Sequence, residues 1–505
     1  MNAPALGKHV RRITILGGGT AGWMAAAALA KFLPQLEITL VESDAIGTVG
    51  VGEATIPQIK HLNRALEIDE ADFIRGTNGS FKLGIEFVNW RRKGHAYLHN
   101  FGNIGFALNQ VAFHHYWLRA RAEGLEAGLW DHCLNTQAAR AMAFAPLERV
   151  GQTRLSPIAY AYHFDAGLYV NFLRAYAEAR GVKRVEGRVA HVRQDSETGH
   201  VMGLDLEGGG HVGGEFFIDC SGFRSLLSGG AMGVPYLDFS RWLKADSALA
   251  VPCGSTGPLR PYTQAIAHEA GWQWRIPLQH RTGNGHVFSS AYTNVETAHE
   301  TLLANLEGAP SAEPRLIRFQ TGRRARFWEG NVLALGLASG FLEPLESTSI
   351  HLIQSGISRL LPLFPDARIS PPLREEYNRQ MALEFDTIRD FLILHYHATE
   401  RDDTEFWRDC AAMEVPERLQ RIMGLFRAGG RIYHEQEDLF TDSSWLQVML
   451  GQGIEPESWH PIADQLPAEK LEGFLGDIRT IVSKAAGGLP AHEQYLQSIG
   501  AKVAA

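Results

Sequence analysis

A glycine turn between two apolar strands sets the first constraint on what this chain can fold into. Residues 11–43, RRITILGGGTAGWMAAAALAKFLPQLEITLVES, read as a short strand, a run of glycines, a helix of strong helix formers and a second strand. Gly17, Gly19 and Gly22 give G-x-G-x-x-G at the strand-to-helix junction, and Glu42 stands 20 residues beyond Gly22 at the end of the second strand. In a βαβ unit the first glycine permits the tight turn, the second lets backbone approach a pyrophosphate, and the third lets helix pack on sheet. Thr20 and Ala21 open the helix, whose N–H groups and dipole attract phosphate. An acid at Glu42 suits ribose hydroxyls and repels a 2′-phosphate. A dinucleotide site is therefore expected here.

Later segments favour FAD over NAD in that site. The strand FFIDCSG, residues 216–222, brings Asp219 and Gly222 to its end, and GNVLALGLASG, residues 330–340, is another buried strand with small residues, Gly336 among them. Such returns to the first sheet suit a flavin held from several chain regions. With no second glycine loop in strand-to-helix context, its electrons are expected from outside the chain. Between these segments, 165–180 has helical spacing and 185–222 alternates like a β-meander. Beyond Pro372 the pattern is helical, so an α/β part is followed by a helical one.

The bulk properties exclude several classes. A formal net charge of -8 and the lack of any Lys/Arg run argue against nucleic acid. The four cysteines are scattered, with no C-x-x-C and no histidine at zinc-ligand spacing, so free thiols and no metal site are expected. The N-terminal apolar run is too short for a secretory signal and no stretch reaches membrane-span length. These features read as a soluble cytoplasmic protein.

A second stretch, GFLEPLEST at 340–348, sets Glu343 and Glu346 around a proline among apolar and small residues. Burying a carboxylate without a partner costs several kcal/mol by the usual scales, so both acids need a reason to be there. Together GGGTAGW (17–23), VGVGEATIP (49–57), GWQWRIP (271–277) and GFLEPLEST resemble the flavin-dependent halogenases, the tryptophan halogenase family, over nearly the whole chain. Trp272, Trp274, Ile276 and Pro277 form the most specific of these elements, because they separate halogenases from flavin monooxygenases that share the glycine motif. Read alone, WQWRIP is an alternating strand with aromatics on one face.

The resemblance implies an α/β fold: a Rossmann-type, flavoprotein-monooxygenase-like FAD module over 1–370 with inserted substrate-pocket segments, and a mostly helical substrate module over 371–505. It implies FADH2 from a separate flavin reductase, O2 and a halide as co-substrates, and a flavin hydroperoxide that yields hypohalous acid. That oxidant crosses a tunnel to a lysine, matched by Lys82 in NGSFKLGIEF, while Glu346 faces the lysine and stabilises positive charge on the attacked ring. Backbone N–H groups at Thr348 and Ser349 would hold the halide. Ser349 departs from the glycine common in tryptophan-specific members, and a serine there is strained if the position needs φ above zero. VGVGEATIP would be a strap over the isoalloxazine, with Gly50 and Gly52 as flexible points and Ala54 near the flavin. For Glu343 the expected role is only to shape the loop through backbone N–H groups.

YLHNFG, 97–102, matches the region where relatives stack the substrate on His99 and Phe101, and Trp445 would add an aromatic wall. Relatives specific for tryptophan clamp its carboxylate with paired tyrosines, where this chain reads DSSWLQVMLGQG. The expected substrate is thus an electron-rich neutral aromatic, indole or a larger indole derivative, in preference to tryptophan. Two readings compete with halogenation: an aromatic monooxygenase using the same flavin chemistry, and a catalytically silent flavin-binding scaffold.

Overall fold

The computed structural model describes residues 9–45, 52–125, 128–433 and 438–502. Its first sheet runs Trp328–Glu329, Val332–Ala334, Phe216–Asp219, Arg12–Leu16, Glu37–Glu42, Lys183–Glu186, all parallel except the first edge strand. The helix Thr20–Phe32 crosses between its two central strands, as the glycine motif requires. Ala25 to Ala28 are fully buried. An alanine run of this kind lets neighbouring helices approach closely, here Ala166–Glu178 on one side and Ser349–Leu360 on another. The expected meander forms as Val189–Gln194, Val201–Leu206 and His211–Gly213. GNVLALGLASG is not one continuous strand: it is strand over Val332–Ala334 and again at Gly340, because Gly336 takes the left-handed φ of 62° and turns the chain into a short 3-10 turn between them.

A second sheet of seven strands carries Gly271–Pro277 near its centre and ends in Gly84–Val88 and Ala96–Asn100. Beside it, Gly52–Ala54 and Ser80–Lys82 both pair with Ala161–Asp165, which sets Ala54 opposite His163 and Lys82 opposite Ala161. The segment around residue 52 and the lysine are thereby fixed to one strand. Helices Pro371–His397, Glu417–Gly429, Asp442–Gly451 and Ala468–Gly487 share one continuous apolar core with the sheets. Among the described residues no helix is long and apolar enough to cross a membrane.

Candidate active site

A cavity of about 300 Å³ opens at the carboxyl ends of the parallel strands, lined by Gly19, Thr20, Ala21, Ala54, Gly336 and Ser349 among others. Ligands bind at this end of an open α/β sheet. The three motif glycines differ in what surrounds them. A Cβ on Gly17 would fall 2.1 Å from the Cys220 carbonyl, and one on Gly22 would fall 1.9 Å from the Gly17 carbonyl, whereas one on Gly19 meets nothing within 4 Å. Gly17 and Gly22 thus close the turn, and Gly19 leaves open space facing the cavity, as a backbone that must approach a pyrophosphate would. Gly19→Val is accordingly expected to leave the melting temperature near wild type while FAD binding, read by fluorescence titration, falls at least about tenfold, which is about 1.4 kcal/mol. Gly22→Val is expected to prevent folding. Wild-type FAD affinity in Gly19→Val would show that the space serves something else.

Two sequence-based cofactor assignments meet a different arrangement. Asp219 is fully buried and its carboxylate accepts from the N–H groups of Ser221, Leu227 and Ser228 and from the Ser221 hydroxyl. It ties the turn after its strand, and Cys220 and Gly222 take the cavity wall instead. Glu42 does not line the cavity: it packs against Gly18 and accepts from Arg184 Nε at 2.5 Å. The sequence carried no sign of Arg184 as its partner. Gly50 lies outside the described residues. Glu53, not singled out from the sequence, lines the cavity, and burial pushes its carboxyl up to about 7.

Lys82 is completely buried, with Nζ donating to the Thr55 carbonyl at 2.9 Å and to Ser347 Oγ at 2.8 Å. Burial lowers its ammonium to about 7, against the opposing pull of Glu346. Ser347 holds a left-handed φ of 59°, and it lines the cavity, so the lysine reaches the cavity wall through one hydroxyl. Glu346 sits between two imidazoles. His99 Nδ1 faces both carboxylate oxygens at 2.9 and 3.0 Å, and His395 Nε2 lies 2.7 Å from Oε1, close but not aligned for a hydrogen bond. His395 Nδ1 donates to the Phe391 carbonyl at 2.8 Å, which turns Nε2 towards Glu346. Burial alone would raise Glu346, but the two histidines outweigh it and hold the carboxyl at about 2. The result is a fixed anion in a dry site beside a lysine poised near neutrality.

Phe101 lies next to the lysine, its ring centroid 5.2 Å from Nζ. His99 is flanked by Phe391 and Phe440, which stack on each other at 3.8 Å. Trp445 is buried behind them, edge-on to Phe391 at 4.8 Å, and does not line the cavity. Phe391 and Phe440 do not line the cavity either, so Trp445 packs in the aromatic cluster around His99 rather than on the cavity wall. Thr348 caps the helix Ser349–Leu360, with its hydroxyl buried and unpartnered. Ser349 is already the first helical residue, so the positive φ falls on Ser347 and Ser349 is unstrained. Trp272, Trp274 and Ile276 line the cavity, whereas Pro277 ends the strand and accepts from Ser80 Oγ. Glu343 is held by side chains rather than by backbone N–H groups: Trp272 Nε1 donates at 3.0 Å and the Tyr396 hydroxyl at 2.8 Å.

The tryptophan halogenase family model matches residues 12–468. The chain belongs to the tryptophan halogenase family. It is an enzyme, a flavin-dependent halogenase, and it is 35% identical to a tryptophan 6-halogenase of Streptomyces toxytricini over 97% of this chain and 99% of that protein. Two solved flavin-dependent halogenases superpose closely: one from Xanthomonas campestris (TM-score 0.95, 52% identity, 97% of this chain and 99% of that one) and one from a Brevundimonas species (0.94, 42%, 97% and 99%). In this halogenase the strand Gly271–Pro277, the Gly19 loop and the Ser347 turn converge on the one cavity, and Lys82 and Glu346 lie behind it.

Proposed function

We propose that this halogenase uses FADH2, delivered by a separate flavin reductase, with O2 and bromide or chloride to halogenate a neutral electron-rich aromatic, with indole as the simplest case. One observation carries the reading: a fully buried lysine, tied to the cavity wall through Ser347, stands beside a carboxylate fixed by two histidines. The space at Gly19 and the small residues Thr20, Ala21, Ala54 and Gly336 fit a bound FAD. Bound there as FADH2, FAD supplies the O2 activation that turns halide into an electrophilic halogen species.

The chain's own residues do the rest. Free N–H groups at Thr348 and Ser349, with the dipole of the 349–360 helix behind them, attract a halide at the cavity edge. Lys82 receives the oxidant, holding it by a hydrogen bond as ammonium or as a haloamine once deprotonated, and burial keeps it from water. The Glu346 anion stabilises the positive charge that develops on the ring, an interaction strengthened by the dry surroundings. His99 and Phe101, with Phe391 and Phe440 behind, offer the aromatic its stacking surfaces.

The missing tyrosine pair decides substrate. A zwitterionic amino acid entering this site needs partners for two charges, and leaving them unpaired costs more than stacking returns. Indole is expected to outcompete tryptophan about tenfold or more at equal concentration, since a single unpaired group costs roughly 1–3 kcal/mol. Bromide should serve at least as well as chloride, being easier to oxidise, and attack should fall on C3, the most electron-rich carbon of indole. The test is a mass-spectrometric competition with a flavin reductase and either halide. Preference for tryptophan would place an amino-acid clamp elsewhere in the chain. Hydroxylated product with halide left out would favour the monooxygenase reading.

A further inference from the structure

The two tryptophans of the 271–277 strand and the buried Glu343 have no part in the chemistry above, yet they are joined to one another. Trp272 and Trp274 both line the cavity, with ring centroids 6.2 Å apart. Trp90 lies 6.3 Å beyond Trp272, and Tyr396 lies 5.1 Å beyond Trp90. These rings come from three separate segments, and Trp90, Trp272 and Tyr396 are all buried. Phe406 then bridges Tyr396 to Tyr292, which is half-buried at the surface and whose hydroxyl donates to Asp409.

Aromatic packing by itself does not ask for a carboxyl at its centre, and a buried one is costly. Glu343 is fully buried, and its Oε2 accepts from both Trp272 and Tyr396. Indole and phenol are among the most readily oxidised side chains, and a phenol gives up an electron far more easily when an acceptor takes its proton. Both tyrosines of this series have a carboxyl in that position, Glu343 for Tyr396 and Asp409 for Tyr292.

We propose that Trp272, Trp90, Tyr396 and Tyr292 form an electron relay that drains one-electron oxidants from the cavity to the surface, with Glu343 as the internal proton acceptor. The proposal rests on the reading of this cavity as the flavin site. A halogen atom, formed together with a hydroxyl radical when the oxygen–halogen bond of hypohalous acid breaks homolytically, takes one electron from Trp272 and becomes halide, and the hydroxyl radical takes a second electron by the same route with a proton and leaves as water. Trp90 re-reduces the Trp272 cation radical. Tyr396 then re-reduces Trp90, passing its proton to the Glu343 carboxylate. Tyr292 returns the electron to Tyr396, which recovers its proton from Glu343, and the Tyr292 proton passes through Asp409 to water. A thiol in solution finally gives Tyr292 a hydrogen atom. The net change converts hypohalous acid and two thiols into halide, water, a proton and two thiyl radicals, sparing the protein.

Oxidised FAD bound to the full chain is itself a one-electron oxidant when excited by blue light, so the relay can be read without turnover. In the wild-type protein, time-resolved absorption and electron paramagnetic resonance should show a tyrosyl radical after the flash. Trp90→Phe keeps a ring in place but is hard to oxidise, and it should abolish the tyrosyl signal. Tyr396→Phe, which preserves the packing, should also abolish it while tryptophan radicals persist, and this variant decides the matter if Trp90→Phe does not fold. During turnover with halide but no aromatic, both variants should accumulate oxidised Trp272 and Trp274, read by peptide mass spectrometry, severalfold faster than wild type. Bound FAD with no tyrosyl signal in the wild type, or equal damage in wild type and variants, overturns the relay alone. Failure of FAD to bind overturns the cavity assignment and the relay with it.

Discussion

Lys82→Ala should reduce halogenated product by at least about 10²-fold, the loss seen when a buried donor in a dry catalytic site is removed. Oxidation of reduced flavin by O2 should continue near the wild-type rate. The separation follows from position: the lysine is walled off behind Ser347, touching the cavity through a hydroxyl rather than lining it. On the proposed mechanism the flavin half of the reaction should not need it, while transfer to an aromatic bound beside Phe101 should. Glu346→Gln keeps the shape and removes the charge, and should cost roughly tenfold, the equivalent of ~1.4 kcal/mol. Liquid chromatography with mass detection gives the product, and stopped-flow absorbance gives the flavin. If Lys82→Ala halogenated at the wild-type rate, the lysine would have no part in the transfer.

What could be read from the sequence was local. The glycine spacing between strand and helix dictated the βαβ unit, since each glycine answers a constraint set within a few residues of it. The alternation of Gly271–Pro277 likewise gave the strand. The partners of Glu343 could not be read, because Trp272 and Tyr396 lie 71 and 53 residues away and only the packing of a long helix against a central strand brings them together. His395 was hidden for the same reason. In FLILHYH it looks like one more buried residue of an apolar helix face, and only the fold reveals that its imidazole meets Glu346. Asp219 shows the opposite failure, where a local pattern was legible but misleading. A strand ending in Asp, Cys, Ser and Gly suits a cofactor edge, yet the acid is consumed by the turn that follows it. Lys82 was placed by resemblance, since an inward lysine among Phe81, Leu83 and Ile85 has no signature that separates it from a lysine reaching for solvent.

The same lysine should be a burden on the fold, and Lys82→Met should make the protein more stable near neutral pH. Burial lowers the ammonium from 10.5 to about 7 in the folded chain. The charged form is thus disfavoured by folding, at about 1.4 kcal/mol per unit of pKa. Below about pH 7 that cost is present in full. As pH rises from about 7 towards about 10.4 the unfolded chain holds a proton that the folded chain has released, so wild-type stability climbs across this window. Methionine has similar length and no charge to bury, but it forfeits the hydrogen bonds to Thr55 and Ser347, each worth about 1 kcal/mol. A net gain on the order of 1–3 kcal/mol remains at the acid end of the window. Melting curves of both proteins between about pH 6 and about pH 9.5 should show the variant ahead at low pH and the gap closing as pH rises. A variant less stable than wild type at pH values below about 7, with no convergence above, would mean that the ammonium is solvated in the folded protein and that Lys82 is not the desolvated group its surroundings imply.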